Sequence, residues 1–177
     1  MTLTTYSFAL PTRIEFGPGI SRTAAKEAKA MGATKVLLVA DKGVIGAGLT
    51  EGIEAELKKE QLPYVLYDRI VPNPRDLDCA AGCEFAQAEG IDVIIAVGGG
   101  SSMDTAKAIG TLLTHGGRIQ DWCGFQLLKK PITPLIAVPT TAGTGSEVTP
   151  FAVITDSDIH VKLNVFDPKC APRVALV

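Results

Sequence analysis

The chain has 177 residues, 46% of them hydrophobic and 20% charged, with a formal net charge of −2. That is enough apolar material for one globular domain with a substantial core. The even charge balance, without a basic stripe, argues against a nucleic-acid partner. No apolar run approaches the ~20 residues of a membrane span. The opening Met1-Thr-Leu-Thr-Thr-Tyr-Ser-Phe8 lacks the basic and apolar regions of a signal peptide, so the expected setting is the cytoplasm, with no membrane partner.

In chain order, residues 8–16, interrupted by Pro11, are predicted to form two short strands, an N-terminal β-hairpin or flap. Residues 21–31, rich in Ala, Lys and Glu, read as a helix. Residues 35–40 are a buried strand ending at Asp41, residues 50–60 an amphipathic helix, and residues 63–67 another strand. Pro72-Asn73-Pro74 is a fixed turn, and a helix opens near Asp76 and runs to about Glu89. A strand from Ile91 is followed by Gly98-Gly-Gly-Ser-Ser-Met-Asp104 and a helix over residues 101–113. Residues 116–131 are an irregular loop with a short helical turn near Trp122. Residues 134–138 form the next apolar strand, and residues 152–155, 161–165 and 173–177 are three closing β segments.

Strands that are apolar throughout and alternate with helices indicate an α/β fold, a parallel sheet with helices on both faces. In such sheets ligands bind beyond the carboxyl ends of the strands, where strand order reverses. Asp41, Asn73, the glycine loop and the loop from Thr140 all follow strands, so a single rim is predicted to collect them.

Strand, glycine turn and helix bring bare backbone N–H groups up to a phosphate, because no Cβ stands in the way and the helix start is positive. The spacing is not the usual G-x-G-x-x-G, and the candidate acid Asp41 precedes the glycines instead of following them. The glycines could also simply join strand to helix. Ser101 and Asp104 have the spacing of a capping box, which would leave other first-turn N–H groups for an anion. Lys107 lies one turn further, where solvent is a lysine's ordinary destination. Asp41 is either an acceptor for ribose hydroxyls, favouring NAD over NADP, or a helix or turn cap. Thr140, Thr141 and Thr144 offer hydroxyls after a strand, and Lys162 reads as a surface lysine. His115 ends a helix favourably, and neither it nor His160 has partners at metal-ligand spacing. Cys79, Cys83, Cys123 and Cys170 match no zinc pattern and are expected to be free thiols, the first two as half-buried helix filling.

Three segments carry a close resemblance to a known family: Val71-Pro-Asn-Pro74, the run from Gly98 through Asp104 and Lys107 to Gly110, and Pro134-Leu-Ile-Ala-Val-Pro-Thr-Thr-Ala-Gly-Thr-Gly-Ser-Glu147. Val153-Ile-Thr-Asp156, Lys162 and the opening Pro11-Thr-Arg-Ile-Glu-Phe-Gly17 agree with it too. The chain resembles the iron-containing (group III) alcohol dehydrogenases. The resemblance implies a Rossmann-like NAD(P)-binding domain over residues 1–177, with Asp41 on the adenosine ribose and Asn73 lining the cleft. Gly100 and Ser101 would hold the pyrophosphate, Gly99 shaping the approach, and Asp104 belongs to the same cofactor-binding set. Thr140, Thr141 and Thr144 would contact the phosphates or the nicotinamide half, and Lys162 the nicotinamide ribose. Phe151 departs from the pattern, standing where some relatives carry a polar residue near the cofactor.

In the full enzyme the resemblance implies oxidation of a primary alcohol by NAD⁺ to an aldehyde and NADH, with a metal, iron or zinc, holding the alcohol oxygen. The family's metal ligands, one Asp and three His, belong to a C-terminal helical domain absent from these residues. The expectation is therefore an NAD-binding fragment with little or no turnover alone, from a homo-oligomeric enzyme of a small-molecule alcohol or aldehyde. The alternatives are glycerol dehydrogenase or dehydroquinate synthase chemistry, and a stand-alone nucleotide-binding or assembly module.

Overall fold

The apolar runs are buried along almost their whole length, and this sets the architecture. In the computed structural model, which describes residues 9–177, the elements in chain order are β1 (Arg13–Glu15), α1 (Ala24–Ala30), β2 (Val36–Ala40), α2 (Lys42–Gly46), α3 (Glu51–Lys59) and β3 (Tyr64–Tyr67). They continue as α4 (Asp76–Glu89), β4 (Val93–Gly98), α5 (Gly100–His115), β5 (Gly124–Phe125), β6 (Leu135–Pro139), β7 (Phe151–Thr155), β8 (Lys162–Phe166) and β9 (Val174–Leu176). Short 3₁₀ turns cover Ile20–Thr23, Ile119–Trp122 and Pro168–Cys170.

Six strands form one sheet in the order β1-β9-β6-β4-β2-β3, every pairing parallel. From β2 the chain moves outward to β3, returns across β2 to β4, and then proceeds the other way to β6. Strand order reverses between β2 and β4, whose carboxyl ends are Ala40 and Gly98. Because side chains alternate along each strand, the sheet has two cores. Leu37, Val39, Ile94, Ala96 and Leu135 pack under α4 and α5. Val36, Leu38, Ile95, Val97 and Ile136 pack under α1 and α3 on the other side. The predicted α/β, Rossmann-like sheet covered on both faces is what forms.

Gly82 lets α4 and α5 approach, since a Cβ there would stand 2.5 Å from Ile109 Cδ1. Cys79 and Cys83 lie in this contact and are fully buried, not half-buried as expected. All four cysteines are free.

The sequence reading is corrected in several places. In the second half of the expected hairpin, the strand at Arg13–Glu15 pairs parallel with β9 at the sheet edge, and residues 9–12 form no strand. Phe8 lies outside the described residues. The closing β segments do not all extend the main sheet. β7 and β8 pair antiparallel and, with β5, build a separate three-stranded sheet, whereas β9 returns to the main one. The short helix α2 adds an element after β2, consistent with the helix-cap alternative for Asp41. Among the described residues no helix is long and apolar enough to cross a membrane.

Candidate functional site

Parallel strands place every carboxyl end on one rim, and a cleft of about 770 Å³ opens there at the β2/β4 reversal. Asp41, Gly99, Gly100, Ser101, Thr140 and Thr141 all line it. Asn73, Asp104 and Lys162 line a smaller adjoining recess of about 240 Å³ that shares Gly100 and Ser101 with the main cleft. The rim expected from the sequence is thus assembled, with the candidate residues distributed along it except Thr144, which lines neither recess and lies behind Gly100, its Cγ2 3.7 Å from where a Cβ there would stand.

The glycine loop is shaped for close approach. Gly98 has φ +147, and a Cβ there would collide with Ser102 Oγ at 2.4 Å. A Cβ on Gly99 would come within 3.0 Å of Thr141 Oγ1. The amide of Thr140 donates to the Gly98 carbonyl at 3.0 Å, which ties the threonine loop to the glycine loop.

The expected capping box does not form. Helix α5 begins at Gly100 with Gly99 as its N-cap, and no side chain caps it. Ser101 lies inside the first turn, and Asp104 is drawn away by Ser146, whose hydroxyl donates to Asp104 Oδ1 at 2.7 Å. The long-range bond prevails over the local one, and the first-turn N–H groups of a 16-residue helix face the cleft without a side-chain acceptor. This arrangement fits a pyrophosphate.

Asp41 serves in two ways at once. Its Oδ1 accepts the Val44 N–H at 3.0 Å and so caps α2, and its Oδ2 takes a long 3.4 Å bond from the Ser102 hydroxyl. The carboxylate still lines the cleft. Across the recess, Lys162 Nζ donates to Asn73 Oδ1 at 2.9 Å. Asn73 holds φ 52 between Pro72 and Pro74. Two further bonds seat this turn against the small sheet: Thr155 N donates to the Pro74 carbonyl at 2.8 Å, and Ser157 N to Asp76 Oδ1 at 3.0 Å.

Lys107 overturns its expected place in solvent, being fully buried. Burial lowers the pKa of its ammonium, and burial likewise raises that of the Asp104 carboxyl, against the Ser146 bond. Phe151, the departure noted in the sequence, begins β7 and stacks on Phe166 with ring centroids 4.2 Å apart. Ser102 and Ser146 were not singled out in the sequence. Neither carries a local signal, because each acts through a partner more than 35 residues away.

Among the described residues no group of three His, Cys, Asp or Glu side chains could hold a metal ion. The described residues offer unpaired first-turn N–H groups suited to an anionic ligand and assemble no site for iron.

Comparison with known proteins agrees with the geometry. The family model described as iron-containing alcohol dehydrogenase matches residues 11–177. The chain is 39% identical over 171 residues to the NAD-dependent methanol dehydrogenase of Bacillus methanolicus, covering 97% of this chain and 45% of that protein. It is 41% identical over 175 residues to the choline dehydrogenase of Bacillus subtilis (strain 168), covering 97% and 44%. It superposes on the crystal structure of a 1,3-propanediol oxidoreductase with a TM-score of 0.93 at 32% identity, covering 98% of this chain and 45% of that one. The chain therefore spans less than half the length of the curated relatives it matches.

Proposed function

Because the chain belongs to the iron-containing alcohol dehydrogenase family, we propose that residues 1–177 are its NAD(H)-binding domain, serving hydride transfer between a primary alcohol and NAD⁺ in the whole enzyme. The observation that carries this reading is the uncapped start of α5 facing the threonine loop across the cleft at the β2/β4 reversal. Bound there, NAD⁺ supplies the hydride acceptor.

The chain's own residues bind and orient it. Asp41 accepts the adenosine ribose hydroxyls with the part of its carboxylate that the α2 cap leaves free. Gly100 and Ser101 hold the pyrophosphate, Gly99 keeping the approach open. Thr140, Thr141 and Thr144 close over it from the facing loop. Asn73, Lys162 and Asp104 hold the nicotinamide half in the smaller recess. No step is assigned to a metal, since the described residues do not assemble a site for one. The 177 residues alone are expected to bind cofactor and to turn over little or no alcohol; the whole enzyme is expected to be cytoplasmic and homo-oligomeric.

Isothermal titration with NADH, NADPH and ATP tests the reading. Saturable binding that prefers NADH supports it; an equal or stronger response to ATP, or none to NADH, sinks it. Robust alcohol oxidation by the purified chain with added Fe²⁺ or Zn²⁺ would overturn the expected lack of turnover.

A further inference from the structure

The largest fully buried side chains include one charged residue, Lys107, which is 0% exposed. All three of its ammonium hydrogens are engaged: Nζ donates to the Phe151 carbonyl at 2.6 Å, the Thr149 carbonyl at 2.9 Å and the Ser146 hydroxyl at 3.2 Å. The Ser146 hydroxyl in turn donates to Asp104 Oδ1 at 2.7 Å. A line of bonds therefore runs from the buried ammonium to a carboxylate lining the recess beside Lys162.

Taking a charge out of water is costly, and an apolar chain of similar length would fill the same space without that penalty. The ammonium meets no carboxylate directly, so pairing alone does not account for it. Nor is it placed as a base that could activate Ser146, because no lone pair is free when all three hydrogens are donated. What its bonds accomplish is mechanical. They fasten residues 146–151 to the middle of α5, the helix whose first turn forms the opposite wall of the cleft. Thr144 is held in the same way at one remove, since the Ser146 amide donates to its hydroxyl at 3.4 Å.

We propose that Lys107 is a positioning residue for the cofactor: through Ser146 it fixes Thr144 and Asp104 against the glycine loop, setting the width of the pyrophosphate and nicotinamide end of the cleft. The proposal rests on the NAD(H) reading of the site. It predicts an asymmetry, because Asp41 is held by α2 and Ser102 at the other end and touches none of these atoms.

The test compares Lys107→Met, Ser146→Ala and the double variant with the unmodified chain, titrating each with NADH and with adenosine, which lacks the phosphates and occupies only the adenosine end. Ser146→Ala removes the link while leaving the Lys107 bonds to the two carbonyls, and so guards against a Lys107→Met protein that does not fold. The expected result is NADH binding weakened about tenfold or more in each single variant, with adenosine binding unchanged. The double variant should lose no more than the worse single one, as two parts of one line must. Folded variants with unaltered NADH affinity overturn the proposal alone, as does an equal loss for adenosine and NADH, which would mark a general scaffold role. An unmodified chain that binds adenosine but not NADH overturns the cofactor reading and the proposal with it.

Discussion

Lys162 Nζ and Asn73 Oδ1 meet at 2.9 Å across 89 residues of sequence, joining the small sheet to the turn that follows β3. Asn73 stands at φ 52, a conformation asparagine tolerates better than most residues and one that costs other side chains about 1–3 kcal/mol. Replacing it separates backbone from side chain. Asn73→Gly is expected to keep stability while weakening NADH binding, because only the amide is lost. Asn73→Ala should lose both, and thermal melts beside titrations distinguish the two. Equal melts for the two variants would refute the backbone argument.

Asp41 caps α2 through Val44 N–H and lines the cleft, so charge and cap can be tested apart. Asp41→Ser keeps a capping oxygen and removes the charge that repels a 2′-phosphate. It should hold stability to within about 0.5 kcal/mol while bringing the affinity for NADPH close to that for NADH. Asp41→Ala should shift cofactor preference in the same direction and also lose about 1 kcal/mol of stability. NADPH titrations showing no gain in the serine variant would remove Asp41 from the ribose site.

The main sheet was legible in the sequence because residues 36–40, 93–98 and 135–138 are apolar without alternation, and only burial on both faces uses such runs. The rim followed from topology for the same reason. The failures share a different cause. Ser101 and Asp104 have local capping-box spacing, but Ser146 takes the Asp104 carboxylate from 42 residues away. Lys107 looks like a surface lysine until β7 and the residues before it are laid beside α5 and the Thr149 and Phe151 carbonyls need a donor. β7 and β8 read as ordinary closing strands, since nothing in their own residues states that they pair with each other rather than with the main sheet. The Lys162 role entered only through family resemblance, and its contact with Asn73 is purely tertiary.

Two glycines separate packing from function. At Gly82 an added methyl meets Ile109 Cδ1 at 2.5 Å, in the α4/α5 contact and away from the cleft. Gly82→Ala should therefore destabilise by about 1–3 kcal/mol through overpacking and leave NADH affinity unchanged in the folded protein. At Gly98 the methyl meets Ser102 Oγ at 2.4 Å with φ +147, beside Asp41 and Ser102, which line the cleft. Gly98→Ala should lower both stability and NADH affinity. Denaturant midpoints read with titrations check the pair, and a Gly98→Ala chain with normal NADH binding would show the loop more forgiving than its geometry indicates.

Acid should release the small sheet from the Asn73 turn before it unfolds the main one. Burial works to raise the Asp76 carboxyl, but hydrogen bonds from Ser157 and Gln120 outweigh it and hold the group below the usual carboxylate range. Gln120 Nε2 donates at once to Asp76 Oδ2 at 2.7 Å and Asp156 Oδ2 at 3.1 Å. Asp156 is held low as well, chiefly by the Ile159 N–H. With a folded-state pKa below the unfolded value of about 3.9, Asp76 contributes its full stabilisation above that pH and loses it as pH falls through the folded value. Asp76→Asn should be less stable than the unmodified chain at neutral pH, and its stability should fall less between about pH 5 and pH 3. Because Asp76 anchors Ser157 beside Lys162, hydrogen exchange at residues 155–159 should quicken in acid while β2 and β4 stay protected. Unfolding curves for the two proteins that stay parallel down to the acid limit would show that this carboxylate does not carry the acid sensitivity of the fold.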